Sequence, residues 1–229
     1  LEEAQQMARP VSEQDIAGRR DLRDLRMVTI DGEDAKDLDD AVSVQRIEGG
    51  YRLGVHIADV SHYVREDSQL DKEAFARGTS VYLIDKVLPM LPHELSNGIC
   101  SLNAGVDRLA MSCIMEIDPS GGVRHYEICK SVIHVEQRMT YSAVNRILTD
   151  NDPDDIEFYS SLVEDFRLMK ELADILRAER MKRGALDFDF PEAKVIVNDE
   201  GFPIEIKRRE SGAGEMLIED FMIKANEVV

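Results

Sequence analysis

The apolar residues of this chain fall into short runs broken by turns, with one long stretch of helical spacing. Residues 28–30 form a brief β-favouring run. Residues 41–47 and 51–60 form two more, joined at Glu48-Gly49-Gly50, a hairpin signal. Residues 109–117 and 123–135 repeat the arrangement around Pro119-Ser120-Gly121-Gly122, and residues 195–197 and 203–207 do so around Asn198-Asp199-Glu200-Gly201. Residues 159–182 carry Leu162, Phe166, Met169, Leu172 and Leu176 at steps of three or four, which predicts a helix packed on a core, with Gly184 as its stop. Residues 216–226 read as a further helix. Hairpins dominate and regular strand–helix–strand alternation is missing. The expected fold class is therefore α+β, a mixed, largely antiparallel sheet with packed helices. Residues 1–26 are charged and poor in large apolar side chains, and read as an approach segment.

At 229 residues the chain can bury a substantial core, as one large domain or two small ones. It has no apolar run of membrane-spanning length and no basic-then-apolar leader, so a cytoplasmic location is expected. Its three cysteines, Cys100, Cys113 and Cys129, are widely spaced and form no C-x-x-C pair, which argues for reduced thiols. The five histidines lack metal-ligand spacing and read as structural or exposed. The net charge of −18 counts against a general grip on nucleic acid, which needs clustered Lys and Arg. If the substrate is a nucleic acid, cations must sit in the acidic region and other segments must supply part of the grip. The chain starts at Leu1, not Met, and stops inside a predicted helix, so it is expected to be a piece of a longer polypeptide.

The candidate chemistry is concentrated in Asp31-Gly32-Glu33-Asp34-Ala35-Lys36-Asp37-Leu38-Asp39-Asp40. Asp31, Asp37, Asp39 and Asp40 share one turn between apolar runs. Carboxylates that close repel one another unless cations sit among them, and hard cations such as Mg²⁺ suit all-oxygen ligands. Aspartates holding Mg²⁺ against a phosphate are the equipment of metal-dependent nucleases and polymerases. Two other readings stay open: a solvated acidic loop, and a pair of carboxylates working by acid–base chemistry without metal. A calcium loop of the EF-hand type does not fit. Counted from Asp37, its sixth position is Val42 where glycine is required, and the flanks read as strands.

These aspartates, with the blocks that follow them, resemble the catalytic domain of the RNase II/RNase R (RNB) family of exoribonucleases. The supporting blocks are Ile57-Ala58-Asp59-Val60-Ser61-His62-Tyr63-Val64, Arg77-Gly78-Thr79-Ser80-Val81-Tyr82 and Pro89-Met90-Leu91-Pro92. They continue with Leu95-Ser96-Asn97-Gly98-Ile99-Cys100-Ser101-Leu102, Asp107-Arg108-Leu109-Ala110-Met111-Ser112 and Met216-Leu217-Ile218-Glu219-Asp220-Phe221-Met222. The details look closer to the bacterial ribonuclease R branch than to RNase II.

The resemblance implies processive 3′→5′ hydrolysis of single-stranded RNA to nucleoside 5′-monophosphates, with Mg²⁺, two ions being expected. It implies that Asp31, Asp37, Asp39 and Asp40 hold the metal directly or through water, and that loss of Asp40 or Asp39 is the most damaging. Tyr82 and Phe188 match aromatics that clamp the 3′-terminal base; without the resemblance they read as a strand tyrosine and a core phenylalanine. Tyr141 and Glu219 match positions that help select ribose, with Asp220 an alternative to Glu219 and a structural role open for Tyr141. Residues 1–20 become an approach segment from a preceding RNA-binding domain, and residues 21–229 an RNB catalytic domain incomplete at its C-terminus. The expected partners are single-stranded RNA and the remainder of the same polypeptide: OB-type RNA-binding domains and the rest of the catalytic domain, with its Arg-rich motif. Two other classes compete. One is a catalytically inactive RNA-binding member of the same fold, against which all four aspartates weigh. The other is an acidic interaction or calcium-binding module, which leaves the blocks around Tyr82 and residues 95–102 unexplained.

Overall fold

A computed structural model describes residues 2–84, 86–186, 192–198, 200–209 and 211–229. Its strands are β1 (Arg20–Asp21), β2 (Val28–Asp31), β3 (Asp40–Ile47), β4 (Gly50–Ala58), β5 (Val81–Tyr82), β6 (Val87–Leu88), β7 (Asp107–Ile117), β8 (Val123–His134), β9 (Gln137–Thr140), β10 (Glu192–Val197) and β11 (Pro203–Arg209). Its α-helices are α1 (Glu2–Met7), α2 (Glu13–Ile16), α3 (Val60–Tyr63), α4 (Gln69–Arg77), α5 (Tyr141–Asn145), α6 (Pro153–Phe158), α7 (Val163–Lys182) and α8 (Ala213–Val228).

Seven strands form one sheet in the order β1-β8-β7-β4-β3-β2-β9. The pairs β3–β4, β4–β7, β7–β8 and β2–β3 are antiparallel, while the outer pairs β1–β8 and β2–β9 are parallel. The sheet is thus mixed and largely antiparallel. The turn between β3 and β4 depends on glycine. Gly50 sits at φ +155°, and a Cβ there would fall 2.0 Å from the Ile117 carbonyl oxygen.

Alternation along the strands sends two sets of side chains to opposite faces. Val42, Val44, Leu53, Val55 and Met115 join the main core, where α5, α7 and α8 cover them with residues such as Val144, Phe166, Leu172 and Phe221. Each large apolar side chain so buried contributes about 1.5–3 kcal/mol. Ala41, Ala58 and Ala110 face a smaller cluster with Met27, Leu102 and Ile133. The same side of the sheet carries a buried polar ladder. His56 is fully buried between Ser43 Oγ at 3.1 Å and Ser112 Oγ at 2.7 Å, and Ser112 meets Ser131 at 2.6 Å. Burial lowers the His56 pKa to about 4, so the ring is a neutral structural group. Cys100 and Cys113 are buried thiols whose pKa burial raises.

Two expected elements are shorter than the sequence suggests. The helix expected over residues 159–182 begins at Val163. A separate helix, α6, precedes it, started by Pro153 and by Asp152, whose side chain caps the amides of Asp154 and Asp155 at 3.0 and 3.1 Å. The strand expected to reach residue 60 stops at Ala58, because Val60 already belongs to α3. Residues 2–20 pack on the body of the fold. Ala4 of α1 is fully buried, Glu3 accepts a hydrogen bond from the Leu70 amide at 3.1 Å, and Arg19 pairs with the buried Asp59 at 2.6 Å. Among the described residues, no helix is long and apolar enough to cross a membrane.

Candidate active site

The acidic loop is the connection between β2 and β3. Asp31 is the last residue of β2 and Asp40 the first of β3, so both ends are set by the sheet. Leu38 explains the arrangement between them. Its side chain is 1% exposed, and it stands between Asp37 and Asp39 as the apolar anchor of the loop. The backbone around it is held from outside. Ser101 Oγ donates to the Lys36 carbonyl at 2.9 Å and accepts from the Leu38 amide at 3.0 Å. The Leu102 amide donates to the Leu38 carbonyl at 2.8 Å, and the Ala58 amide to the Asp39 carbonyl at 2.9 Å. A loop that merely solvated its carboxylates would not require this bonding.

The electrostatics are those of crowded anions. Burial, then the charges of Asp31 and Asp39, push the Asp40 carboxyl up to about 6. Asp39 is also raised, by desolvation and then by Asp37 and Asp31. Asp40 Oδ2 is buried and has no hydrogen-bond partner. Asp31 Oδ1 accepts from the Gly32 amide at 2.7 Å, and Asp37 Oδ2 from the Tyr82 hydroxyl at 2.7 Å. An all-oxygen, anionic donor set with an orphaned buried oxygen fits a hard divalent cation. Among the described residues, no three His, Cys, Asp or Glu side chains stand in a finished metal-holding geometry.

The other expected residues divide into near and far. Tyr82 lies on the β5–β6 ribbon, outside the large sheet, with its side chain largely exposed and its hydroxyl on Asp37. That bond, followed by burial and the charges of Asp37, Asp39 and Asp31, raises its pKa to about 12. Tyr141 opens α5, directly after Thr140, the residue that pairs with Asp31 across β2 and β9. It is partly buried against the main core. Glu219 is engaged elsewhere. Its carboxylate accepts from Arg180 at 3.3 Å and lies 3.9 Å from Arg177, both on α7. The neighbouring Asp220 is buried and held by Arg177 at 3.1 Å and Arg180 at 2.7 Å. The structure separates the two candidates, Asp220 locking α8 to α7 and Glu219 staying more open. Phe188 lies outside the described residues.

Two residues of the site have no role in the sequence reading. Ser101 stands in a block that the sequence singles out, but nothing there marks it as the support of Leu38. Arg138 donates to three carbonyls of the loop, at Gly32, Glu33 and Ala35. Only its position three residues before Tyr141 brings it to notice in the sequence.

The RNB domain family profile matches residues 19–229. Ribonuclease R 1 of Lactococcus lactis subsp. lactis (strain IL1403) is 54% identical over 230 residues, covering all of this chain and 28% of that protein. Ribonuclease R of Thermotoga maritima is 54% identical over 231 residues, again covering all of this chain, and 32% of that protein. The chain therefore spans less than a third of the length of these curated relatives. Among solved structures, Mycoplasma genitalium RNase R in complex with ribose-methylated single-stranded RNA matches with a TM-score of 0.90 at 35% identity, covering 99% of this chain and 35% of that chain.

Proposed function

This chain belongs to the RNB domain family, and we propose that it is the metal-holding part of the catalytic domain of a 3′→5′ exoribonuclease acting on single-stranded RNA. The observation that carries the reading is Asp40: a half-buried carboxylate whose Oδ2 is buried and unpartnered, beside the charges of Asp31 and Asp39, at the end of a braced loop. Asp31, Asp37, Asp39 and Asp40 would hold Mg²⁺, as two ions. The chemistry supplied by Mg²⁺ held there would be activation of water and compensation of the charge that builds on the phosphoryl oxygens.

The chain's own residues do the rest. Leu38 and its backbone bonds keep Asp37 and Asp39 in fixed positions, so little reorganisation is needed when the phosphate arrives. Tyr82 offers an exposed ring for stacking on the terminal base, a sequence-tolerant contact because every base has a π-face. Phe188 is assigned to the other side of that base and Tyr141 to the ribose. Glu219 is assigned there too, which requires its exchange with Arg177 and Arg180 to open. Residues 1–20 lead in from a preceding RNA-binding domain, and the remaining polypeptide supplies OB-type domains and the cations that a chain of net charge −18 lacks.

The test is a 5′-labelled single-stranded RNA incubated with the full-length protein and with this chain, in Mg²⁺ or EDTA. A Mg²⁺-dependent ladder shortening from the 3′ end supports the proposal, and its persistence as discrete long intermediates would count against processivity. RNA binding without any shortening would instead favour the inactive RNA-binding reading.

Tyr82 gives a second test, with opposite outcomes for two substitutions. Tyr82→Phe keeps the ring and loses the bond to Asp37, so RNA affinity stays within about twofold. Tyr82→Ala loses a stacking contact worth about 1–3 kcal/mol, so affinity for a short RNA falls roughly 5–150-fold. Fluorescence anisotropy in EDTA reads both; equal losses would show that the hydroxyl, not the ring, matters.

A further inference from the structure

One guanidinium braces the first half of the acidic loop. Arg138 lies on β9, beside Thr29 of β2. The adjacent Met139 points into the main core, so Arg138 faces the other way. Its Nη2 donates to the carbonyls of Ala35 at 2.7 Å, Glu33 at 3.0 Å and Gly32 at 3.4 Å. These belong to a turn that the Ala35 amide closes on the Gly32 carbonyl at 3.2 Å.

The choice of partners is informative. The chain has 46 acidic residues, with a dense group of them in this loop, yet among the described residues Arg138 bonds only to carbonyls. Pairing with Asp37 or Asp39 would occupy oxygens that a cation needs. Bonding to carbonyls fixes the backbone, adds positive charge under the loop and leaves the carboxylates available. The same guanidinium has its Nε buried without a partner, an unsatisfied donor retained in exchange for this placement. All three bonds come from the one nitrogen Nη2, so a lysine would keep the charge but not the rigid plane that holds this nitrogen in place.

We infer that Arg138 is a positioning residue for cation binding at the acidic loop, setting the backbone of residues 32–35 that leads from Asp31 to Asp37. The inference rests on the metal-dependent reading proposed above. It deepens that reading by naming a residue that acts through the backbone of the loop.

Arg138→Met and Arg138→Lys in the full-length protein test it. Three readouts are needed: the Mg²⁺ midpoint of single-turnover RNA cleavage, the Mg²⁺ midpoint for protection of the Ala35 amide in hydrogen exchange, and the melting temperature. In Arg138→Met both midpoints rise 10–100-fold, as for partners that orient metal ligands, and Arg138→Lys recovers only part of the change. RNA affinity in EDTA stays within about twofold. A lowered melting temperature with both midpoints unchanged would make Arg138 a residue of the fold and overturn the inference. If the unsubstituted protein is protected by Mg²⁺ but cleaves nothing, the proposed function falls and the protection midpoint alone decides this inference. If Mg²⁺ gives neither cleavage nor protection, both fall.

Discussion

Asp40→Asn is expected to lower RNA hydrolysis on the order of a thousandfold, the scale for removing a fixed electrostatic stabiliser, while relieving a pH-dependent strain in the metal-free protein. The two effects share one cause. Asp40 is placed where its charge is disfavoured unless a cation arrives. Its carboxyl shifts from 3.8 to about 6, through burial first and the charges of Asp31 and Asp39 next. A carboxyl raised in this way stabilises the fold when protonated. Its contribution is complete below about pH 4 and is lost as the pH climbs through about 6. The shift corresponds to about 3 kcal/mol lost across that window, several degrees in melting temperature for a chain of this size. Asparagine carries no charge, so the variant lacks this part of the pH dependence. An unpartnered amide has its own cost, so the informative quantity is the change between pH 4.5 and 7.5, measured by calorimetry in EDTA. The unsubstituted chain should lose more stability over that interval and regain it with Mg²⁺ by mass action. Identical pH dependence in the two proteins would refute the electrostatic account, and retained cleavage by Asp40→Asn would remove Asp40 from the site.

How much of this was legible in the sequence depends on the kind of interaction. The hairpins β3–β4 and β7–β8 announce themselves, because apolar runs and Gly-containing turns are local signals. The apolar stripe of α7 is legible for the same reason, although its start is not. The sequence pattern begins at Tyr159, whereas residues 159–162 form the turn between α6 and α7, and only the first residues of α7 set its start. β9 escapes notice because it is four residues long and only one of its side chains, Met139, is fully buried. The lead segment escapes because its apolar anchors, such as Ala4, Met7 and Val11, are few and scattered among polar contacts. At the site, the aspartates are visible by type and spacing, whereas their supports are not. A hydrogen bond from Arg138 or Ser101 to a backbone carbonyl leaves no mark on the identity of the accepting residue. The placement of Glu219 on the arginines of α7 is likewise a matter of tertiary packing, invisible to a motif.

Arg19→Met is expected to destabilise the fold by roughly 3–5 kcal/mol, the cost of leaving a buried charge without its partner. The side chains of Arg19 and Asp59 are 6% and 1% exposed and meet at 2.6 Å. Arg19 also donates to the Asp15 carbonyl at 3.0 Å, and Ser61 donates to Asp59 at 2.8 Å. Burial alone would raise the Asp59 carboxyl. The hydrogen bonds from Arg19 and Ser61, with the charge of Arg19, outweigh it and hold the group below the usual range. A carboxyl lowered in this way stabilises the fold above pH 3.8, and that contribution is lost as the pH falls through its folded value. Without Arg19, burial dominates and the sign reverses, so this site then loses stability as the pH rises. Urea unfolding across pH 4–8 should therefore show opposite slopes from this site in the two proteins. A second substitution, Asp59→Leu, removes the stranded charge and should recover most of the loss in Arg19→Met. The pair also bears on the acidic loop, because Ala58, next to Asp59, donates the bond that holds the Asp39 carbonyl. At temperatures where Arg19→Met remains folded, its Mg²⁺ midpoint should match that of the unsubstituted protein. A shifted midpoint there would mean that the anchor under β4 helps to set Asp39, and that the loop is positioned from three sides and not two.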